Sequence, residues 1–117
     1  MTNFDLIQCI RNFDKHEFEL ALSMGADPNT ICVESDIHEP ILSKLITSAA
    51  SCNNQKQRVI LYEMMKMLLE NEKLNINLRD NRLYSPFFTA VTMKDKTSLE
   101  LLELWIDKIN IYLPDSK

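Results

Sequence analysis

The amino-acid sequence predicts an all-α fold in which antiparallel helix pairs stack side by side, joined by long hairpin-like loops. Three observations lead there. Tyr62-Glu-Met-Met-Lys-Met-Leu-Leu69 and Leu99-Glu-Leu-Leu-Glu-Leu-Trp-Ile106 superimpose position for position at an offset of 37 residues, the mark of an internal repeat. In both, apolar residues fall at i, i+1, i+4 and i+5 (Met64, Met65, Leu68, Leu69; Leu101, Leu102, Trp105, Ile106), which gives each helix one broad apolar face. The third is the single glycine, Gly25. Sandwiches, phosphate loops and dinucleotide-binding turns need glycines at defined places, and this chain lacks them.

Taken in order, the pairs are expected at about 4–11 with 15–24, about 40–50 with 57–71, and about 86–93 with 97–107. A helix opens at Ser85-Pro86, with Ser85 as the cap and proline at the first position, where its missing N–H costs nothing. Glu39-Pro-Ile-Leu-Ser-Lys-Leu45 repeats that layout 46 residues earlier. Each pair closes on a similar turn: Gly25-Ala-Asp-Pro-Asn29, Leu74-Asn-Ile-Asn77 and Ile109-Asn-Ile-Tyr112. Residues 25–39 and 72–85 are read as the connecting loops, and 51–57 as a lengthened turn inside the middle pair. A lone pair leaves its apolar face in water, so pairs must cover one another. Burying each large side chain contributes about 1.5–3 kcal/mol, which makes the stacked interface the dominant stabilising term. Met64, Met65 and Trp105 are accordingly expected in the core.

These residues resemble the ankyrin-repeat family. Asn77-Leu-Arg-Asp80 followed by Tyr84-Ser-Pro-Phe-Phe-Thr-Ala90 is similar to the family's Asn, Asp and Thr-Pro-Leu-His-x-Ala pattern. Gly25-Ala-Asp-Pro-Asn29 is similar to its closing turn, and Leu99–Ile106 to its second helix. Leu83 stands where the family usually has glycine, Phe88 where it has His, and Glu39 where it has Thr. The resemblance implies an ankyrin-repeat solenoid in a single domain, with repeats at about 1–29, 30–77 and 78–112. The start of a further loop follows at 113–117, where Leu113-Pro-Asp115 restarts the pattern of Leu78-Arg-Asp80. That restart leaves open a fragment of a larger multidomain protein.

Charge and composition narrow the function. The formal charge is −4, with 13 basic residues scattered among 17 acidic ones. Without a basic stripe, no nucleic-acid partner is expected. Apolar stretches are short and the N-terminus lacks a signal peptide's basic and apolar regions, so no membrane insertion is expected. Cys9, Cys32 and Cys52 are odd in number and far apart, which reads as reduced thiols in an intracellular, cytoplasmic setting. Lys outnumbers Arg nine to four, a bias of AT-rich genomes that extends the expectation to delivery into a host cell by a bacterium or virus.

No catalytic chemistry, cofactor or metal is expected. Only His16 and His38 offer the usual base, and neither sits in a nucleophile signature. Cys9, Cys32, His38 and Cys52 lack the close ligand pairs of zinc sites. Asn77, Asp80, Asn29 and Asp27 are explained as turn formers.

The function this implies is a protein-binding module, an adaptor, inhibitor or effector that acts by surface occupancy. Repeat proteins bind through loop tips and the concave helix face. The resemblance carries this over to Asn81, Arg82, Tyr84, Thr92 and Met93 in the third repeat, and to Ser35, Asp36, His38, Ile46 and Thr47 in the middle one. Arg82 and Tyr84 stand first among them, since Arg and Tyr are enriched at binding hot spots. The alternative is a homodimer formed through the terminal helices Phe4–Arg11 and Leu99–Ile106, whose ends lack polar caps.

Overall fold

Short polar side chains start most of the helices. In the computed structural model, which describes residues 5–34 and 36–109, a carboxylate, amide or hydroxyl oxygen accepts a bond from a backbone N–H three residues on. Asp5 does so for α1 (Leu6–Arg11), Asp14 for α2 (Lys15–Ser23) and Asn54 for α4 (Gln55–Leu69). Ser85 caps α5 (Pro86–Met93), with Pro86 at its start, and Asp95 caps α6 (Lys96–Glu103). Each such cap is worth about 1 kcal/mol. The helix α3 (Ile41–Ser51) begins after Pro40 with no side-chain cap bond.

The turns need left-handed backbone, and one glycine cannot supply it all. Gly25, at φ 102°, ends α2, where Ala26 N–H bonds back to Ala21 C=O at 3.0 Å. The same reversal after α1 and α5 is made by Phe13 (φ 53°) and Lys94 (φ 56°), and Leu83 (φ 69°) makes a fourth in the loop before α5. Such conformations cost a residue with a Cβ about 1–2 kcal/mol. Leu83 therefore holds its turn at the cost of local backbone strain.

Each helix packs on its pair-mate, α1 on α2, α3 on α4 and α5 on α6. Successive pairs then meet in two layers, α1–α3–α5 and α2–α4–α6. The core runs along the middle, through Phe18, Ile41, Leu42, Leu45, Ile46, Leu61, Met64, Met65, Leu68 and Leu102. Asparagines stitch the closing turns together. Asn29 Nδ2 donates to Lys73 C=O at 2.8 Å, and Asn29 Oδ1 accepts from Asn75 N–H at 2.6 Å. Asn77 Nδ2 then donates to Lys108 C=O at 2.7 Å.

Two parts of the expected fold class are overturned. The chain is not all-α: β1 (Ile31–Glu34) and β2 (Ile37–Pro40) form a two-stranded antiparallel sheet, Cys32 opposite Glu39 and Val33 opposite His38. Nor is it an extended ankyrin-repeat solenoid. Its extents are 43 × 31 × 31 Å and its radius of gyration 13.4 Å, the value of a compact chain of this length, about 13 Å. The physical reasons are simple. Helix axes pack roughly 8–10 Å apart, so a few short pairs make a body about as wide as it is long. The loop read into 25–39 carries Ile31 and Val33 at alternating positions, and four residues per strand suffice once α3 packs against the hairpin.

The helices lie close to their expected positions, with α4 running to Leu69 instead of 71 and the middle turn shortened to 52–54. The last helix departs most: α6 stops at Glu103, and a 3-10 turn covers Ile106–Lys108. Met64 and Met65 are buried, whereas Trp105 is only half-buried, so the core expectation for Trp105 is met in part. Phe4, the turn beyond Ile109 and Leu113–Asp115 lie outside the described residues.

Candidate interaction surface

Asp80 organises the loop that precedes α5. Its carboxylate has no solvent exposure, and among the described residues its hydrogen bonds come from the same loop. Oδ1 accepts from the backbone N–H groups of Arg82 and Tyr84 at 2.8 and 2.9 Å. Oδ2 accepts from Arg82 Nε and Nη2 at 3.0 and 2.6 Å. The turn is closed by Leu83 N–H to Asp80 C=O, at 2.9 Å. A buried carboxylate is tolerable only when donors surround it in this way. Asp80 is thus the anchor of the loop, a stronger role than the turn former expected from its type.

The anchor fixes the two residues ranked first from the sequence. The Arg82 guanidinium lies 4.6 Å from the centre of the Tyr84 ring, and Tyr84 in turn meets Phe88 of α5 at 4.7 Å, tilted by 57°. Cation, phenol and phenyl ring thus form one row, in contact geometries that are attractive in themselves. Arg82 is exposed and Tyr84 half-buried, so the row has both a supported underside and a free surface.

Asn81 does something the sequence reading missed. It ties the loop to the hairpin: its N–H donates to His38 C=O at 3.0 Å, its Oδ1 accepts from His38 N–H at 3.2 Å, and its Nδ2 donates to Asp36 C=O at 2.7 Å. Asn81, Asp36 and His38 are therefore brought together as a structural clasp with exposed side-chain surface. No local signal marks a pairing across 43 residues.

The remaining positions divide. Ile46 is fully buried, so its assignment to a partner-facing surface is corrected: α3 has α1, α4 and α5 around it, and little of it faces water. Thr47 is half-buried and its hydroxyl donates to Lys44 C=O within the same helix at 3.0 Å. Thr92 and Met93 are exposed at the far end of α5, roughly 10 Å along the helix axis from Ser85. Ser35 lies outside the described residues.

A second polar cluster links α4 to α6. The Tyr62 hydroxyl sits 3.0 and 3.1 Å from the two Asp95 carboxylate oxygens, and Ser98 Oγ donates to Asp95 Oδ2 at 2.9 Å. Burial, and then the Asp95 carboxylate, push the Tyr62 phenol above its usual range. The thiol of Cys9 is raised as well, by burial first and then by Asp14, Glu17 and Asp5, which makes it a poor nucleophile.

His16 is exposed in the first turn of α2, and Cys9, Cys32 and Cys52 form no disulfide. Among the described residues, no three His, Cys, Asp or Glu side chains are grouped to hold a metal ion. No helix among them is long and apolar enough to cross a membrane. Comparison with family models, with curated proteins and with solved structures gives no match for this chain.

Proposed function

We propose that the chain is a protein-binding module that acts by occupying a partner's surface, with no chemistry of its own. The observation that carries this reading is the Arg82–Tyr84–Phe88 row, held from beneath by the buried Asp80. Arginine and tyrosine dominate binding energy where they are pre-positioned, because little freedom is then lost on association. Asp36 and His38 extend the surface across the Asn81 clasp, and Thr92 and Met93 form its outer margin. The ankyrin likeness enters this reading only through the repeated polar turns, in which Asp27 and Asn29 have the same local bond as Asn75 and Asn77. An intracellular site of action fits three cysteines that form no disulfide.

A second reading, pairing of two copies, is supported by the segment just after α6, where Leu104 is 71% exposed and Ile106 45%. One experiment addresses both. A partner is first identified by pull-down and mass spectrometry, and its affinity is then measured for Tyr84→Ala and Arg82→Lys. The second variant keeps a positive charge beside Asp80 but loses the planar fork. Each is expected to weaken binding by about tenfold or more, the scale of a hot-spot loss, at a temperature where the melting curve shows the variant fully folded. Unchanged affinity in both sinks the binding row. Light scattering of the same samples over a concentration series gives the mass, and a strict monomer removes the second reading.

A further inference from the structure

The hairpin has two edges, and they are treated differently. Ile41 N–H donates to Thr30 C=O at 3.0 Å, and Asn81 N–H donates to His38 C=O at 3.0 Å. Together these fix the phase of the ladder. Residues 30, 32 and 34 turn their backbone groups toward β2, whereas His38 turns its own outward to Asn81. Val33 lies opposite His38 and Ile31 opposite Pro40, so the N–H and C=O of Ile31 and Val33 point away from β2. Among the described residues, no hydrogen bond to these four groups is present. Asn81 covers the β2 edge, and among the described residues nothing covers the β1 edge.

We propose that the open edge of β1 binds an extended, basic peptide segment of a partner protein, which adds to the sheet as a further strand. Two outward residues, about 7 Å apart along the strand, present a donor and an acceptor each, the spacing of every second residue of an extended chain. The side chains of Ile31 and Val33 are 40% and 61% exposed, and Cys32 between them is buried. A peptide with β-branched residues at alternate positions would set them beside Ile31 and Val33, the pairing that stabilises sheets. The choice of partner follows from charge. The strand is bracketed by Asp27 and Asp36, both exposed, in a chain of formal charge −4. Edge-to-edge pairing of two copies sets these acids against their own kind, whereas lysines flanking a peptide meet them favourably. This surface lies on the opposite edge of the hairpin from the Asn81 clasp and does not use the Arg82–Tyr84 row.

The test uses the full chain and a synthetic probe, acetyl-Lys-Thr-Val-Thr-Val-Thr-Lys-amide. Amide exchange is followed by NMR at Ile31 and Val33. At saturating probe both amides are expected to exchange at least about tenfold more slowly, the effect of a backbone bond worth roughly 1.4 kcal/mol. N-methylation of the alternate probe amides that face the edge should abolish that protection, and added salt should weaken it. Val33→Pro removes an outward donor that the β1–β2 ladder does not use, and should lose the probe. Should that variant fail to fold, the N-methylated probe still decides. Tyr84→Ala should bind the probe as the unaltered chain does, so failure here is distinct from failure of the loop surface. Unchanged exchange with millimolar probe, equal binding of the N-methylated probe, or protection of both amides by concentration-dependent dimers without any probe each overturns the proposal.

Discussion

The helices α4 and α6 hold corresponding places in successive pairs and carry the same apolar spacing, yet they end differently. The longer one has 15 residues and buries Leu69 at its end; the shorter has 8, and the matching Ile106 falls in the 3-10 turn beyond it, nearly half exposed. The difference lies in their neighbours. Packed around α4 are α2, α3 and α6, whereas among the described residues the main neighbours of α6 are α4 and α5. An apolar pattern thus specifies which side of a helix turns inward, but the number of covering elements decides how far the helix persists and how much of the pattern is buried. Propensity alone does not sustain two turns of helix in water.

Truncation tests this contrast most strongly. Leu68→Ala in α4 should cost about 2–5 kcal/mol, the range for emptying a sealed core position. Ile106→Ala should stay within about 0.5 kcal/mol, as for a surface change. Urea unfolding of both variants measures it, and equal losses would break the distinction between the two helices. A smaller effect sharpens it at the turns. Lys94 reverses the chain between α5 and α6 with φ 56°, so Lys94→Gly should raise stability by up to about 1 kcal/mol by releasing Cβ strain. The corresponding Cys52 after α3 is extended, φ −84° and ψ 128°, and Cys52→Gly should lower it. A gain at both positions would show that backbone strain is not what separates the turns.

The smallest effect concerns the bond that joins the two helices. The Tyr62 phenol is held above its ordinary value, chiefly by burial and then by Asp95. A raised folded value means that its contribution is complete below the unfolded value, near pH 10, and fades as pH rises through the folded one. The stability difference between the unaltered chain and Tyr62→Phe should therefore be flat from pH 7 to about 9 and shrink above about 10. A difference that grows with alkalinity would contradict the assigned bond.

Helical period was the most legible feature of the chain, because long amphipathic runs such as Tyr62–Leu69 constrain little except one face. The hairpin was hidden by its size. Four residues per strand give too few alternations to separate from a loop, and the clasp that holds β2 comes from Asn81, far away in sequence. Ile46 was misplaced for a related reason. On α3, Ile41, Leu42, Leu45, Ile46 and Ala49 are all buried, so a helix enclosed on several sides has no free face for spacing to point to. Arg82 and Tyr84 stood out by residue type, whereas their seating on Asp80 depends on a turn geometry that no spacing rule encodes. The left-handed Leu83 illustrates the limit from the other direction, since nothing about a leucine in sequence marks a positive φ.

The asparagine stitches have a consequence for how the molecule opens. Asn29 grips the turn after α4 with both ends of its amide, and Asn77 reaches on to the residues beyond α6. Closing turns at a protein's rim ordinarily fray one by one at small cost. Here each hem is sewn to the next, so releasing any one of them means parting two helix pairs, and the rim shares the cooperativity of the interior.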